Sequence, residues 1–269
     1  MTRPIDTLID THCHLDAAEF NADRPALLAA ATMAGVGEIW VPSVAVANFQ
    51  AVRDCSRQFP NCRAAYGIHP MYTTAAEEAD LATLAQWLAR ERPFAVGEIG
   101  LDAFVPGLDW QRQLHFFSGQ LKLARDLHLP VLLHVRHAVD AVLKQLRMVF
   151  GKQAADSPGG IAHAFNGSMQ QAEAFLKLGF KLGFGGAATF SGSSRIHRLL
   201  RELPLDAIVL ETDAPDMPPT WLRGGRNTPQ QLPAIAASIA AVRQIPVAEL
   251  IRATTENARA LLDKGITAP

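Results

Sequence analysis

Thr7-Leu8-Ile9-Asp10-Thr11-His12-Cys13-His14 is a short apolar run that ends in two histidines one residue apart. Its first half has the continuous apolar character of a strand buried on both faces. On extended backbone, residues i and i+2 point the same way. His12 and His14 are therefore expected to present two imidazoles to one side, with Cys13 turned away as a packing thiol. An isolated HxH is weak; its weight comes from recurrence of the pattern around it. Seven further runs follow: Glu38-Ile39-Trp40-Val41, Arg63-Ala64-Ala65-Tyr66, Phe94-Ala95-Val96-Gly97, Pro130-Val131-Leu132-Leu133, Gly160-Ile161-Ala162, Phe180-Lys181-Leu182-Gly183 and Ala207-Ile208-Val209-Leu210. Their spacing averages about 29 residues, close to the roughly 30 of one βα unit.

Amphipathic segments lie between the runs. Residues 109–127 place Leu114, Phe117, Leu121 and Ala124 on one stripe at helical spacing. Residues 139–150 and 169–178 follow the same pattern, and Gly179 is placed to cap the second. Residues 229–262 hold two helical patterns split by Ile245-Pro246, one for the eighth barrel helix and one for an added terminal helix. Strand–helix alternation predicts a parallel sheet with crossover helices. The expected fold is α/β: a (β/α)8 TIM barrel, one domain over 1–269 with a C-terminal helical extension. A doubly wound open sheet competes, but it gives no reason for ligand-type residues to end nearly every strand.

Such residues do end them. Run four leads to Glu98, run five to His134, run six to His163, and run eight to Glu211-Thr212-Asp213. In a barrel these ends meet at the C-terminal face, where active sites lie. Imidazole and carboxylate donors together suit Zn2+, Mn2+, Fe or Ni2+. Four histidines and two carboxylates exceed one tetrahedral site and suit two ions sharing a carboxylate. Glu98 is the natural bridge and Asp213 the candidate base.

Composition limits the alternatives. A formal net charge of −1 excludes a broad nucleic-acid-coating surface. The three cysteines, Cys13, Cys55 and Cys62, show no CxxC spacing and point to a reducing compartment. Residues 1–16 lack the basic and apolar regions of a signal peptide, and no apolar run approaches a membrane span. A cytoplasmic location, no membrane and no stable protein partner are expected.

The segments DTHCH (10–14), GIHP (67–70), VGEIGLD (96–102), LLHVR (132–136), HAFNGS (163–168) and LETDAPDMP (210–218), in this order, resemble the signatures of the TatD family of metal-dependent deoxyribonucleases and related hydrolases. The resemblance implies that His12, His14, Glu98 and Asp213 bind one divalent metal, and Glu98, His134 and His163 a second. The pair would be Mg2+, Mn2+ or Zn2+. It further implies that Asp213 orients or deprotonates water, that His69 lies near the phosphate, and that Arg136 shares the same mouth. Met71-Tyr72 after GIHP and Asp216-Met217-Pro218 after ETDAP depart from better-known members and resemble a less-characterised branch.

Other residues carry two readings each. His69 is a phosphate neighbour or a strand-end turn residue. Gly183, Gly185 and Gly186 cradle a phosphate or let a tight turn pass. Asp102 holds a ligand histidine or caps a turn. Arg223 to Asn227 form a basic loop that steers an anion or is merely solvated, with Trp221 beside it as a base-stacking candidate. The expected activity is phosphodiester hydrolysis at DNA ends, the partner being DNA or a small phosphodiester. A small ester, lactone or amide is the rival substrate, and an inactive binding scaffold the rival of another class.

Overall fold

The computed structural model describes the backbone of residues 7–266 and the side chains of residues 7–262. The ends of the 1–269 span, and residues 1–6 of the segment expected to hold no signal peptide, lie outside the described residues. Eight strands form one sheet in sequence order: β1 (Leu8–Asp10), β2 (Val36–Pro42), β3 (Cys62–Tyr66), β4 (Ala95–Asp102), β5 (Val131–Arg136), β6 (Gly160–Ala162), β7 (Phe180–Phe184) and β8 (Ile208–Leu210). Every neighbouring pair is parallel. Helices α1 (Arg24–Met33), α2 (Phe49–Gln58), α3 (Ala79–Glu91), α4 (Trp110–Asp126), α5 (Val139–Phe150), α6 (Met169–Lys177), α7 (Ser194–Glu202) and α8 (Leu232–Arg243) alternate with them, and α9 (Val247–Ile266) follows.

The sheet closes into a barrel just beyond β1 and β8. Thr11 N–H donates to Leu210 O at 3.0 Å, Asp213 N–H to His12 O at 2.8 Å, and His14 N–H to Ala214 O at 2.8 Å. An open sheet would leave both of these edges unpaired. Asp10 fastens the seam: its buried carboxylate accepts from Thr212 Oγ1 (2.6 Å), Thr212 N (2.9 Å) and His12 N (3.3 Å). Burial pushes its pKa up to about 8.

Two strand ends differ from the sequence expectation. β1 stops at Asp10, so His12 and His14 stand on the bridging segment past it, where Cys13 pairs with Ala214 and is fully buried. β4 does not end at Gly97-Glu98 but runs on to Asp102. Its register slips between Val96 and Ile99, which pair with Val131 and Leu133 of β5. One extra residue on β4 forms a bulge, and bulges re-aim side chains.

α4 begins with the Asp109 carboxylate accepting from Gln111 N and Arg112 N, as an N-cap should. α6 carries a capping box between Ser168 and Gln171, and Gly179 at φ 79° follows it in the expected capping position. α8 packs beside α7 in the ring, while α9 lies across the N-terminal end of the barrel, where Asn257 Nδ2 donates to Leu205 O (2.9 Å) and Ile208 O (2.8 Å). Among the described residues no single helix is long and apolar enough to cross a membrane.

Candidate metal centre

Five imidazole nitrogens surround the carboxylate of Glu98, which is almost fully buried. Glu98 Oε2 lies 3.1 Å from His12 Nε2 and 3.4 Å from His14 Nε2. Glu98 Oε1 lies 3.2 Å from His134 Nδ1, 3.4 Å from His163 Nε2 and 3.5 Å from His69 Nε2. Asp213 Oδ1 stands 3.7 Å from both His12 and His14 Nε2, on the same side as Oε2. All six residues named as ligands from the sequence therefore converge, and His69 joins them.

What stands behind each ring separates the histidines. His134 Nε2 faces Asp102 Oδ2 at 2.9 Å. His163 Nδ1 faces Glu211 Oε1 at 3.4 Å. The bond to Asp102 keeps the His134 proton on its far nitrogen and turns a lone pair inward, the tautomer a metal requires, while Glu211 stands behind His163 at ion-pair distance. His69 is the reverse: its Nδ1 accepts from Met71 N at 3.2 Å, so the proton of the neutral ring sits on Nε2 and points at Glu98. His69, Glu98 and His134 are close enough to hold an ion, but this tautomer makes His69 a donor. Burial keeps it neutral, its pKa pulled down to about 3.

The charge balance favours a cation. Burial would raise the Glu98 pKa, but the imidazoles of His12 and His69 against its oxygens and hydrogen bonds from His12 and His134 hold it well below the carboxylate range. Burial likewise opposes protonation of His14 and His163, yet neighbouring carboxylates outweigh it. Glu98 is foremost for His14, pushed up to about 9; Asp213 and Glu211 lead for His163, pushed up to about 10. His12 moves down, through burial and its neighbour His163, whose ring stacks on it at 4.1 Å. Protons thus gather where a divalent ion would bring the same sign of charge. The donors are imidazole nitrogen and carboxylate oxygen, the set expected for such ions.

A family model described as "TatD related DNase" matches residues 9–263. The chain belongs to the TatD family of metal-dependent hydrolases. It is 38% identical to the uncharacterised metal-dependent hydrolase YjjV of Escherichia coli K12 over 258 residues, covering 95% of this chain and 97% of that one. It is 32% identical to YabD of Bacillus subtilis, also an uncharacterised metal-dependent hydrolase, over 94% of this chain and 98% of that one. The crystal structure of YjjV superposes with a TM-score of 0.89, covering 96% of this chain and 98% of YjjV.

Several parts of this TatD site carried no motif signal. Two buried glutamines on α4 clamp the backbone beside site residues. Gln120 accepts from Ile68 N (2.7 Å) and donates to Ile68 O (3.0 Å), fixing the approach to His69. Gln113 does the same for Asp102, at 2.8 and 3.0 Å. Asp102 fulfils both of its readings: Oδ2 holds His134, while Oδ1 accepts from Phe104 N (2.8 Å) and Val105 N (2.9 Å). Glu211, unassigned by sequence, also accepts from Ala164 N at 2.6 Å.

Other candidates resolve against function. A Cβ on Gly183 would stand 2.1 Å from Glu211 Oε2, one on Gly185 2.7 Å from Glu211 O, and one on Gly186 2.1 Å from Met217 O. These glycines make room for the strand-eight loop, so the phosphate-cradle reading falls. In the basic loop, Arg226 is engaged by Asp23 at 2.6 Å and Glu19 O, and the buried Asn227 amide donates to Thr212 O and Asp216 O. The loop is a brace for the segment carrying Asp213. Trp221 donates to Gln231 Oε1 at 2.8 Å and does not line the main cleft. That cleft, of about 1580 Å3, is lined by Glu98, His69 and Asp213 at its floor and by Arg136 at its wall. Arg136 stacks on Phe104, 3.8 Å above the ring.

Proposed function

We propose that the chain is a two-metal phosphodiesterase acting on DNA ends, with two divalent cations, Mg2+, Mn2+ or Zn2+, shared across Glu98. The observation that carries this reading is the division of donors between the two oxygens of one carboxylate. His12, His14 and Asp213 gather at Oε2; His134 and His163 gather at Oε1, each backed by its own carboxylate. Bound ions would polarise a phosphoryl oxygen and make water a stronger nucleophile near neutral pH.

The chain's own groups supply the rest. Asp213 has its carboxylate at the cleft floor and accepts the proton of the attacking water. Its backbone, at φ 58° in the left-handed region that Asp tolerates, is fixed by the bond from its N–H to His12 O. His69, whose Nε2–H faces the shared carboxylate, lines the cleft beside the phosphate. Arg136, held flat against Phe104, pairs with the phosphate by its fork of N–H donors. A cleft with so few cations suits a chain end or an unpaired strand better than a duplex flank.

The test incubates the purified protein with Mg2+, Mn2+ or Zn2+ and end-labelled single-stranded DNA, duplex DNA, RNA and chromogenic esters. Metal-dependent trimming of single-stranded ends is expected. Absence of cleavage of all nucleic acids with every metal, alongside rapid turnover of an ester or lactone, would move the chain to the small-ester reading.

A further inference from the structure

Away from the histidine cluster, the cleft wall is uneven in charge. On the side of β1 and β8 it carries Asp16, Glu19 and Asp216; on the side of β5 to β7 it carries Arg136, Arg195 and Asp140. The Asp140 carboxylate is already bonded to the Gln171 amide at 2.9 Å. That wall therefore holds two guanidinium groups and one amide-bonded carboxylate, and faces three carboxylates, of which Asp16 is likewise bonded to an amide, Asn48 Nδ2 at 2.8 Å.

Arg195 is unlike the arginines that brace the fold. Arg24 is tied to Leu15 O, Asp16 O and Ala17 O, Arg112 to Thr73 O and Ala76 O, and Arg226 to Asp23. The exposed Arg195 makes one long contact, Nη1 to Asn166 O at 3.3 Å, and among the described residues pairs with no carboxylate. It also occupies the first turn of α7, which holds no acidic residue. A cation there opposes the helix dipole. A local rule broken without local compensation marks a place where function is served. Asn166 is three residues beyond His163, so the contact places the guanidinium against the loop leaving β6, on the cleft that also holds the metal centre.

We infer that Arg195 forms an anion subsite for the phosphate next to the scissile one, on the same wall as the Arg136 that pairs with the scissile phosphate. The substrate is then a phosphodiester bearing at least one further phosphate on the β5–β7 side. The Asp16, Glu19 and Asp216 wall repels a second phosphate on the other side, so the chain is recognised in one direction only. This rests on the phosphodiesterase reading and adds the contact that distinguishes an oligonucleotide from a simple diester.

The experiment compares wild type and Arg195→Ala, both metal-loaded, on bis(p-nitrophenyl) phosphate and on a short single-stranded oligodeoxynucleotide. The oligonucleotide is also made with one neutral methylphosphonate immediately 5′ or 3′ of the scissile linkage. Arg195→Ala should raise KM for the oligonucleotide about tenfold, the scale of one lost phosphate contact, and leave KM for the simple diester within about twofold. Its log–log salt slope should fall by roughly 0.7. In wild type, one of the two methylphosphonates should raise KM by the same factor; in Arg195→Ala it should add nothing, as partners in one contact require. Arg195→Lys should recover part of the loss. Equal KM changes on both substrates, unchanged KM on both, or additive effects of variant and methylphosphonate would overturn the subsite. Wild type inactive on both substrates would instead overturn the phosphodiesterase reading and take the subsite with it.

Discussion

The two ends of the barrel are built from the same strands but have opposite chemistry. At the N-terminal end, Ile9, Trp40, Ala65, Ala95, Leu132, Ile161 and Val209 form a dry cluster, closed by Ala258 and Leu261 of α9. A buried acid there, Glu38, accepts from Trp40 Nε1 at 2.9 Å and is neutralised by Arg63. At the C-terminal end the same columns carry the site. Leu132 is followed two residues on by His134, Ile161 by His163, and Val209 by Glu211 and then Asp213. A strand keeps residues i and i+2 on one face, so one step along the interior of the barrel passes from core to chemistry. β1 and β4 are the exceptions: Ile9 and His12 differ in parity, and β4 has its bulge. From Ala95 the inward parity would next select Gly97, and the extra residue before Ile99 brings Glu98 inward instead.

The contrast predicts that substitutions at the C-terminal end remove metal or turnover while leaving the fold, and that those at the other end do the opposite. The largest effect is expected from Glu98→Gln. It keeps the shape and removes the shared charge, so metal content by elemental analysis should fall with activity, the latter by on the order of 10³ or more. Thermal melting should stay cooperative. Full metal content and wild-type turnover would show that Glu98 is not the bridge.

Asp213→Asn comes next. It retains a possible oxygen ligand but cannot take a proton. Metal content should stay close to wild type while kcat falls by about 10²–10⁴, the usual range for removing a general base. Near wild-type kcat would place the base elsewhere. Asp102→Asn is smaller again. The variant still reaches His134 but without charge, so metal affinity should weaken by about 10–100-fold, and excess metal should restore most of the activity. Loss of activity that no metal concentration restores would show that Asp102 does more than hold the ring.

The legibility of this molecule follows the same division. The strands, the helical stretches at 109–127, 139–150, 169–178 and 229–262, and the six converging donors could be read because each rests on a short-range regularity: apolar runs, helical stripes, or a polar residue closing a run. The Glu98 bulge could not, because a one-residue slip in pairing leaves no mark in a strand buried along its whole length. Gln113 and Gln120 lie seven residues apart on the inner side of α4, amid Phe116, Phe117 and Leu121. A polar residue on an apolar stripe signals a buried hydrogen bond, but its partners, Asp102 and Ile68, are known only from the packing. Arg226 and Arg195 look alike in sequence, and only the position of Asp23 makes one a brace. The glycines in and after β7 showed that a backbone approach was needed there, without showing that the neighbour of Gly183 and Gly185 is Glu211 rather than a phosphate.

The smallest effect on chemistry should come from the far end. Leu261 is 2% exposed and packs under the barrel with Ile9, Trp40 and Val209. Leu261→Ala removes the apolar contact that seats α9 and leaves a cavity, at a cost of about 2–5 kcal/mol. Neighbouring bonds from Thr255 Oγ1 to Thr7 O and from Asn257 to β8 should hold the helix in place, so the loss is expected as a lower urea midpoint with an unchanged slope. The metal centre lies at the opposite mouth, and the intervening layer of Leu132, Ile161 and Val209 is close-packed and indifferent to metal. Metal content and kcat per folded molecule should therefore match wild type below the unfolding transition. A tenfold fall in kcat without a fall in stability would mean that the two ends are coupled, and that α9 helps to shape the site from beneath.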